Sequence, residues 1–388
     1  MPAMNTRLNP PMKLAIQSLL AHGPVDAAAI DKFLKTHSFP LIEGRNATFV
    51  YRGPGDQVNL RHWVFGLGSS QPFTRVGNSD FWYHTLELPP QSRVEYKLEV
   101  ILGGVGTWIR DPFNPNLAHD PFGANSVAHG QGYKTPGWTE HDPEARPGTM
   151  VETQLENTPL GTQRVSIYLP ARFRESRRYP LLIVHDGGDY MRYAALKTVL
   201  DNLIHRLEVA PLVAAVTHPG DRIGEYPNNP SHAAFIAEHL LPFMESRYPL
   251  YAAPAARCLM GASFGGVASL STAWRYPGTF GRLLLQSGSF AFTDIGESKR
   301  GPVFARVVEF VNAFRESPGR PSDKVYLSCG TYESLIYENR SLVPLLQSTG
   351  MEVKYEEARD GHNWENWRDR LRSGLSWLFP GPLWMVYE

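Results

Sequence analysis

Beyond residue 151, short uninterrupted apolar runs alternate with stretches of helical periodicity. RVSIYLP (164–170) has strand character, and LLIV (181–184) is apolar at every position, the pattern of a strand covered on both faces. LVAAVT, RCLMG, RLLLQSG, KVYLSCG and VKYEEA continue the series. Segments such as HAAFIAEHLLPFMESRY and NRSLVPLLQSTG lie between them with helical texture. Strands alternating with helices predict an α/β domain with a mostly parallel central sheet over 151–388.

The front of the chain has a different texture. ATFVYRG, RHWVFGL, FWYHTLEL, VEYKLEVIL and TWIRDPF are β-prone runs separated by Gly, Pro, Asn and Ser, which predicts a smaller β-sandwich over 39–135. Ahead of it, 1–38 reads as a helical segment, with two short helices broken at Gly23-Pro24. TPGWTEHDPEARPG, rich in Pro, Gly and charge, places a linker at 136–150.

Charge narrows the function. Lys+Arg and Asp+Glu both count 38, so the net charge is zero, which argues against a non-specific nucleic-acid binder. No stretch approaches the ~20 apolar residues of a membrane span, and the N-terminus lacks a clean secretory pattern, so a cytoplasmic protein is expected. The two cysteines, Cys258 and Cys329, sit in apolar runs and are too few for a disulfide framework or a zinc site. No Cys/His cluster has ligand spacing, and no metal is expected.

Chemistry enters at Gly261-Ala262-Ser263-Phe264-Gly265, a G-x-S-x-G motif between the RCLM strand and a helix-forming VASLSTAWRY. A strand-to-helix turn this tight needs minimal flanking side chains and sets a serine oxygen near a helix N-terminus. Ser263 is therefore the candidate nucleophile. A serine needs a histidine to take its proton, and that histidine needs an acid to fix its tautomer. His362, in ARDGHNWENW, follows the last predicted strand. Glu333, three residues past the KVYLSCG strand, is favoured as the acid over Asp360 and Glu338. The backbone N–H of Phe264 is the first oxyanion donor expected, and that of Gly188, in LLIVHDGGDY, the second. His185, Asp186 and Asp189 read as residues of the same turn rather than metal ligands.

On VHDGGDYMRYA (184–194), DRIGEY (221–226), FIAEHLLPFMESRYPL (235–250), MGASFGGVASL (260–270), LLLQSGSF (283–290), CGTYESLIYENRSL (329–342) and DGHNWENW (360–367), the chain resembles the enterochelin esterase-like branch of the esterase D group of α/β-hydrolases. WIRDPFNPN and FGANSV resemble the end of that family's N-terminal immunoglobulin-like (E-set) module. The resemblance implies a cofactor-free serine esterase with Ser263 as nucleophile, Glu333 as acid and His362 as base. It implies a small-molecule ester substrate, a ferric siderophore lactone or, as in relatives sharing the fold, a feruloyl or acetyl ester of a polysaccharide. An anionic siderophore calls for cations, for which Arg222, Arg192 and Arg368 are candidates, while Trp364 or Trp367 could face an aromatic acyl group. Acyl transfer to an acceptor other than water, and a binding protein on an inert hydrolase fold, are the competing functions. The presence of all three of Ser263, Glu333 and His362 weighs against the second.

Overall fold

The computed structural model describes residues 13–21, 23–293 and 300–382. The chain divides into two compact units, one of Met1–Ala118 and Gly123–Lys134, the other of His119–Phe122 and Thr135–Glu388.

The front unit contains two antiparallel sheets. One runs Leu41–Glu43, Asn46–Arg52, Phe81–Glu87, Thr74–Arg75; the other includes Ser70–Pro72, Gln57–His62, Arg93–Leu102 and Gly123–His129, with Val105–Ile109 also paired to Arg93–Leu102. Alternate residues of these strands, Phe49, Tyr51, Leu60, Tyr96 and Leu98, fill its core. The run RHWVFGL departs from expectation. Its strand ends at His62, and Trp63, Phe65 and Leu67 lie exposed in the following turn. The helices Ala15–Leu20 and Ala27–Thr36 are also not a separate segment. Their apolar stripe of Ile16, Ile30 and Phe33 packs on Phe39, Val50 and Phe81, so they are part of the front unit.

The second unit is built on eight strands: β1 (Thr149–Thr158), β2 (Gly161–Leu169), β3 (Leu181–Val184), β4 (Val213–His218), β5 (Arg257–Ala262), β6 (Arg282–Gln286), β7 (Lys324–Gly330) and β8 (Glu352–Ala358). Their order in the sheet is β1-β2-β4-β3-β5-β6-β7-β8. The first pairings, β1 with β2 and β2 with β4, are antiparallel, and every pairing from β4 to β8 is parallel. The uninterrupted apolar runs follow from burial on both faces. Leu181 and Ile183 of β3 point into one core cluster, Leu182 and Val184 into the other. In β7, Val325 and Leu327 face the first cluster and Tyr326 the second. At the outer edges lie β1, TMVETQLENT, and β8, EVKYEEA.

The 136–150 stretch, expected as a linker, is fastened to this second unit. Trp138 is buried in the cluster that contains Leu200 and Leu203, and Asn202 Nδ2 donates to the carbonyls of Trp138 and Glu140. Gly148 N donates to Asp201 Oδ1 at 2.7 Å. Its Pro, Gly and charge content describes an irregular path, with attachment supplied by a tryptophan. Among the described residues no helix is long and apolar enough to cross a membrane.

Candidate active site

Three helices flank the site, α1 (Gly187–Tyr193), α2 (Leu196–His205) and α3 (Phe264–Arg275), and at the end of β5 the chain turns within one residue into α3. Ser263 occupies the turn at φ 56°, ψ −121°, a conformation that costs an L-residue about 1–3 kcal/mol. Glycine at 261 makes it possible, because a Cβ there would run into the backbone of Gly265. As the first residue of α3, Phe264 has an N–H with no acceptor inside the helix.

A second turn stands beside the first because β3 and β5 are parallel neighbours, with Val184 opposite Met260. Asp186 follows β3 in the left-handed region at φ 54° and stands at the residue before α1, whose first residues are Gly187 and Gly188. The turns touch: a Cβ on Gly265 would lie 3.2 Å from His185 Cβ and 3.3 Å from Asp186 Oδ2. Gly188 has the ring of His218 against it, with Nδ1 3.0 Å from where a Cβ would stand. Gly187 is tighter still, since a Cβ there would overlap Val216 Cγ1 of β4. Gly187→Ala is therefore expected to destabilise by about 3 kcal/mol or more, read as a drop in the urea midpoint at unchanged slope.

Asp186 is held from two sides. Arg222 Nε and Nη2 donate to its two carboxylate oxygens, both at 2.8 Å, and its backbone N–H donates to Tyr226 Oη at 2.9 Å. Arg222, a candidate cation for an anionic substrate, is thus ion-paired within the protein. Its charge is matched by a carboxylate that is 2% exposed, and its guanidinium lies 5.7 Å from the Phe264 ring centroid. Arg368 is likewise paired, with Asp369, while Arg192 lies over Tyr193 and is exposed. Trp364, a candidate to face an acyl group, is buried at the start of the helix Trp364–Leu378. It packs edge-on against Tyr190 at 5.2 Å and Trp367 at 4.7 Å.

Beneath the second turn, His185 Nε2 and His232 Nε2 stand 3.0 Å apart, both side chains fully enclosed. His185 Nδ1 lies 3.0 Å from the Met260 carbonyl and 3.0 Å from Ser269 Oγ. Since Ser269 donates to the Gly265 carbonyl, it accepts from His185, which fixes the proton on Nδ1. His232 must then supply the hydrogen between the two rings. Burial pushes His185 down to about 4 and His232 well below its ordinary value. Unfolded histidines titrate near 6.5, so the unfolded chain takes up more protons below that pH. The stability due to the neutral pair is full above about pH 6.5 and is lost as pH falls through about 4. Calorimetric melting from pH 7 to 4 should show a shallower decline for His232→Gln, which keeps a donor to His185 but cannot titrate.

The next two sites come from the far half of the sheet, with α4 (Ala305–Glu316), α5 (Ile336–Ser348) and α6 (Trp364–Leu378). Three residues past β7, Glu333 is 3% exposed. Its Oε1 accepts from Ser287 Oγ at 2.6 Å, Gly330 N at 2.7 Å and Asn366 Nδ2 at 3.3 Å. Its Oε2 is 2.7 Å from His362 Nδ1, in the turn between β8 and α6. Three donors on one oxygen leave the other aimed at the histidine. The Trp367 ring stands edge-on to His362 at 5.0 Å and its Nε1 donates to Ser287 Oγ, which closes the support around the pair.

The rival carboxylates are otherwise engaged. Asp360 Oδ1 accepts from Gly361 N at 2.8 Å and Asn363 Nδ2 at 2.9 Å, shaping the histidine turn, and Glu338 pairs with Arg300. Ser263 Oγ has its hydrogen bond with Ser289 Oγ, at 3.1 Å. Neither Ser287 nor Ser289 is marked by a motif of its own, although both lie in the QSGSF run after β6. Ser263, Glu333 and His362 each follow the C-terminal end of a parallel strand, where open α/β sheets form their binding crevices. Among the described residues no group of three His, Cys, Asp or Glu is arranged to hold a metal.

The sequence profile of the Esterase family matches residues 158–378. The iron(III) enterobactin esterase of Escherichia coli (strain K12) is 24% identical over 375 residues, covering 84% of this chain and 90% of that protein. The uncharacterized protein YjcH of Bacillus subtilis (strain 168) is 25% identical over 236 residues, 59% of this chain and 96% of YjcH. Among solved structures, the enterobactin esterase of Shigella flexneri, crystallised in the presence of enterobactin, superposes with a TM-score of 0.70 at 21% identity, covering 86% of this chain and 92% of that one. That likeness is one of fold.

Proposed function

The chain belongs to the Esterase family and is an esterase, and on that premise we propose that it is a serine carboxylester hydrolase working through Ser263, His362 and Glu333. The observation that carries this reading is the 2.7 Å bond from His362 Nδ1 to a buried Glu333 carboxylate, in a fold whose G-x-S-x-G serine is held at positive φ. Glu333 keeps the histidine proton on Nδ1, so Nε2 presents a lone pair. That lone pair takes the Ser263 proton as Oγ attacks the ester carbonyl, and the carbonyl π electrons move onto the oxygen. The N–H groups of Phe264 and Gly188, each in the first turn of a helix, are the proposed donors to that oxyanion. Collapse breaks the bond to the alcohol, which leaves with the proton from His362. Water then repeats the sequence on the acyl-enzyme and restores Ser263.

The proposed substrate is a ferric siderophore lactone of the enterobactin type. Support comes from relatives whose similarity runs through both units, since the Escherichia coli enterobactin esterase aligns over 84% of this chain. The same reading takes the front two-sheet unit as an E-set module. The pairing of Arg222 with Asp186 favours keeping a second substrate class, an uncharged feruloyl or acetyl ester, because that guanidinium is already matched. Turnover of ferric enterobactin, a feruloylated sugar and an acetylated xylan, compared by kcat/KM, decides the matter. The siderophore reading expects the first to be preferred by at least about tenfold. Preference for either sugar ester overturns it.

A further inference from the structure

A second serine reaches the reacting atom. Ser289 Oγ lies 3.1 Å from Ser263 Oγ, and its side chain is 2% exposed. Its position is fixed at several points. Ser289 N donates to the Ser263 carbonyl at 3.2 Å, and Ser263 N donates to the Gln286 carbonyl at 3.0 Å, so the two turns are laced together. Ser287 N donates to the Ser328 carbonyl at 2.7 Å, and Asn339 Nδ2 donates to the Gly288 carbonyl at 2.9 Å. Through Ser287 Oγ this same turn also holds Glu333. The three residues after β6 therefore touch both the proposed nucleophile and the proposed acid.

We propose that Ser289 is a catalytic hydrogen-bond donor to the nucleophile oxygen, an inference that rests on the reading of Ser263 as that nucleophile. Proton counting gives the direction. Between the two serine oxygens only one hydrogen can lie, and attack requires the Ser263 hydrogen to face His362 Nε2, whose other nitrogen is committed to Glu333. The hydrogen left between the oxygens is then that of Ser289. Negative charge develops on Ser263 Oγ twice. During attack, its proton passes to His362 as the Oγ–carbon bond forms. During deacylation, that bond breaks and the electron pair returns to Oγ before His362 delivers the proton back. Ser289 donates to Oγ at both moments, and its own proton is transferred at neither. A buried donor at fixed distance is worth more there than in water.

The test uses the full chain with p-nitrophenyl acetate, and a fluorophosphonate probe that labels an activated serine. Ser289→Ala should lower kcat about 10- to 100-fold with KM little changed, and slow labelling of Ser263 in the same proportion. Ser289→Cys, close in shape with a weaker donor, should fall between wild type and alanine in both readouts. It also supplies the comparison should the alanine variant fail to fold. A merely structural serine would move the unfolding midpoint instead. Turnover in Ser289→Ala within twofold of wild type, or faster labelling, overturns the inference, as does a cysteine variant no better than alanine when both melt like wild type. Ser263→Ala separates the two failures. If it is inert while Ser289→Ala is unimpaired, only the role of Ser289 falls; if it remains active, the nucleophile reading falls with it.

Discussion

Ser263→Ala should eliminate ester turnover and leave a folded protein. A serine that acts as one unit with a histidine and an acid cannot be removed in part, and losses on the order of 10⁶ in kcat are the scale for such a residue. What persists, roughly 10³–10⁴ over water, comes from binding and the oxyanion donors. Folding should survive because Ser263 contributes little to the core. Its backbone strain at φ 56° is nearly the same for alanine, and the packing of α3 rests on Val267, Ala268, Leu270 and Ala273. Steady-state turnover of p-nitrophenyl acetate and a circular dichroism melt are the measurements. Activity within tenfold of wild type would remove Ser263 from the chemistry.

Glu333→Gln carries the second large effect, on the order of 10³–10⁴ in kcat. The amide matches the carboxylate in shape but not in electrons. It brings no negative charge to an imidazolium, and whichever way it turns, an NH₂ group meets either His362 Nδ1–H or the donors from Gly330 and Ser287. Glu333→Asp keeps the charge but withdraws it by roughly 1.5 Å, so partial activity should remain. Asp360→Asn should stay near wild type, because the atom that accepts from Gly361 and Asn363 can remain an oxygen. A dead Asp360→Asn beside an active Glu333→Gln would exchange the parts given to these carboxylates.

The contrast between these residues explains what the sequence could reveal. Strand–turn–helix signals are local. Gly261, Ser263 and Gly265 lie within five positions, and the parallel sheet can be read from LLIV because burial on both faces makes every position apolar. The interval from Glu333 to His362, 29 residues, is one helix and one strand, and the chain order of a crossover makes it legible. Long-range partners leave no such mark. Arg222 looks like any loop arginine until Asp186, 36 residues earlier, is folded against it. Ser289 is 26 residues from Ser263, with only the crossing from β5 to β6 to join them. Trp364 sits at a helix start where an apolar ring can turn inward or outward, and Tyr190 decided it from outside the segment. In the front unit the aromatic run at 61–67 mimics a strand because propensity scores rings without asking what they touch.

The two outer strands of the large sheet have a bearing on how crowded molecules of this protein treat one another. An unpaired strand offers its free N–H and C=O groups to any passing chain and can seed aggregation. Here β1 contains Glu152 and Glu156, and β8 contains Glu352, Glu356 and Glu357 with a single Lys354 among them. On β8 those carboxylates are ion-paired, Glu352 with Lys324, Glu356 with Arg370 and Glu357 with Arg340, so a strand added there would meet a row of charged pairs that resists desolvation. Charged side chains along both outer strands are the gatekeepers that natural sheets use against edge-to-edge growth.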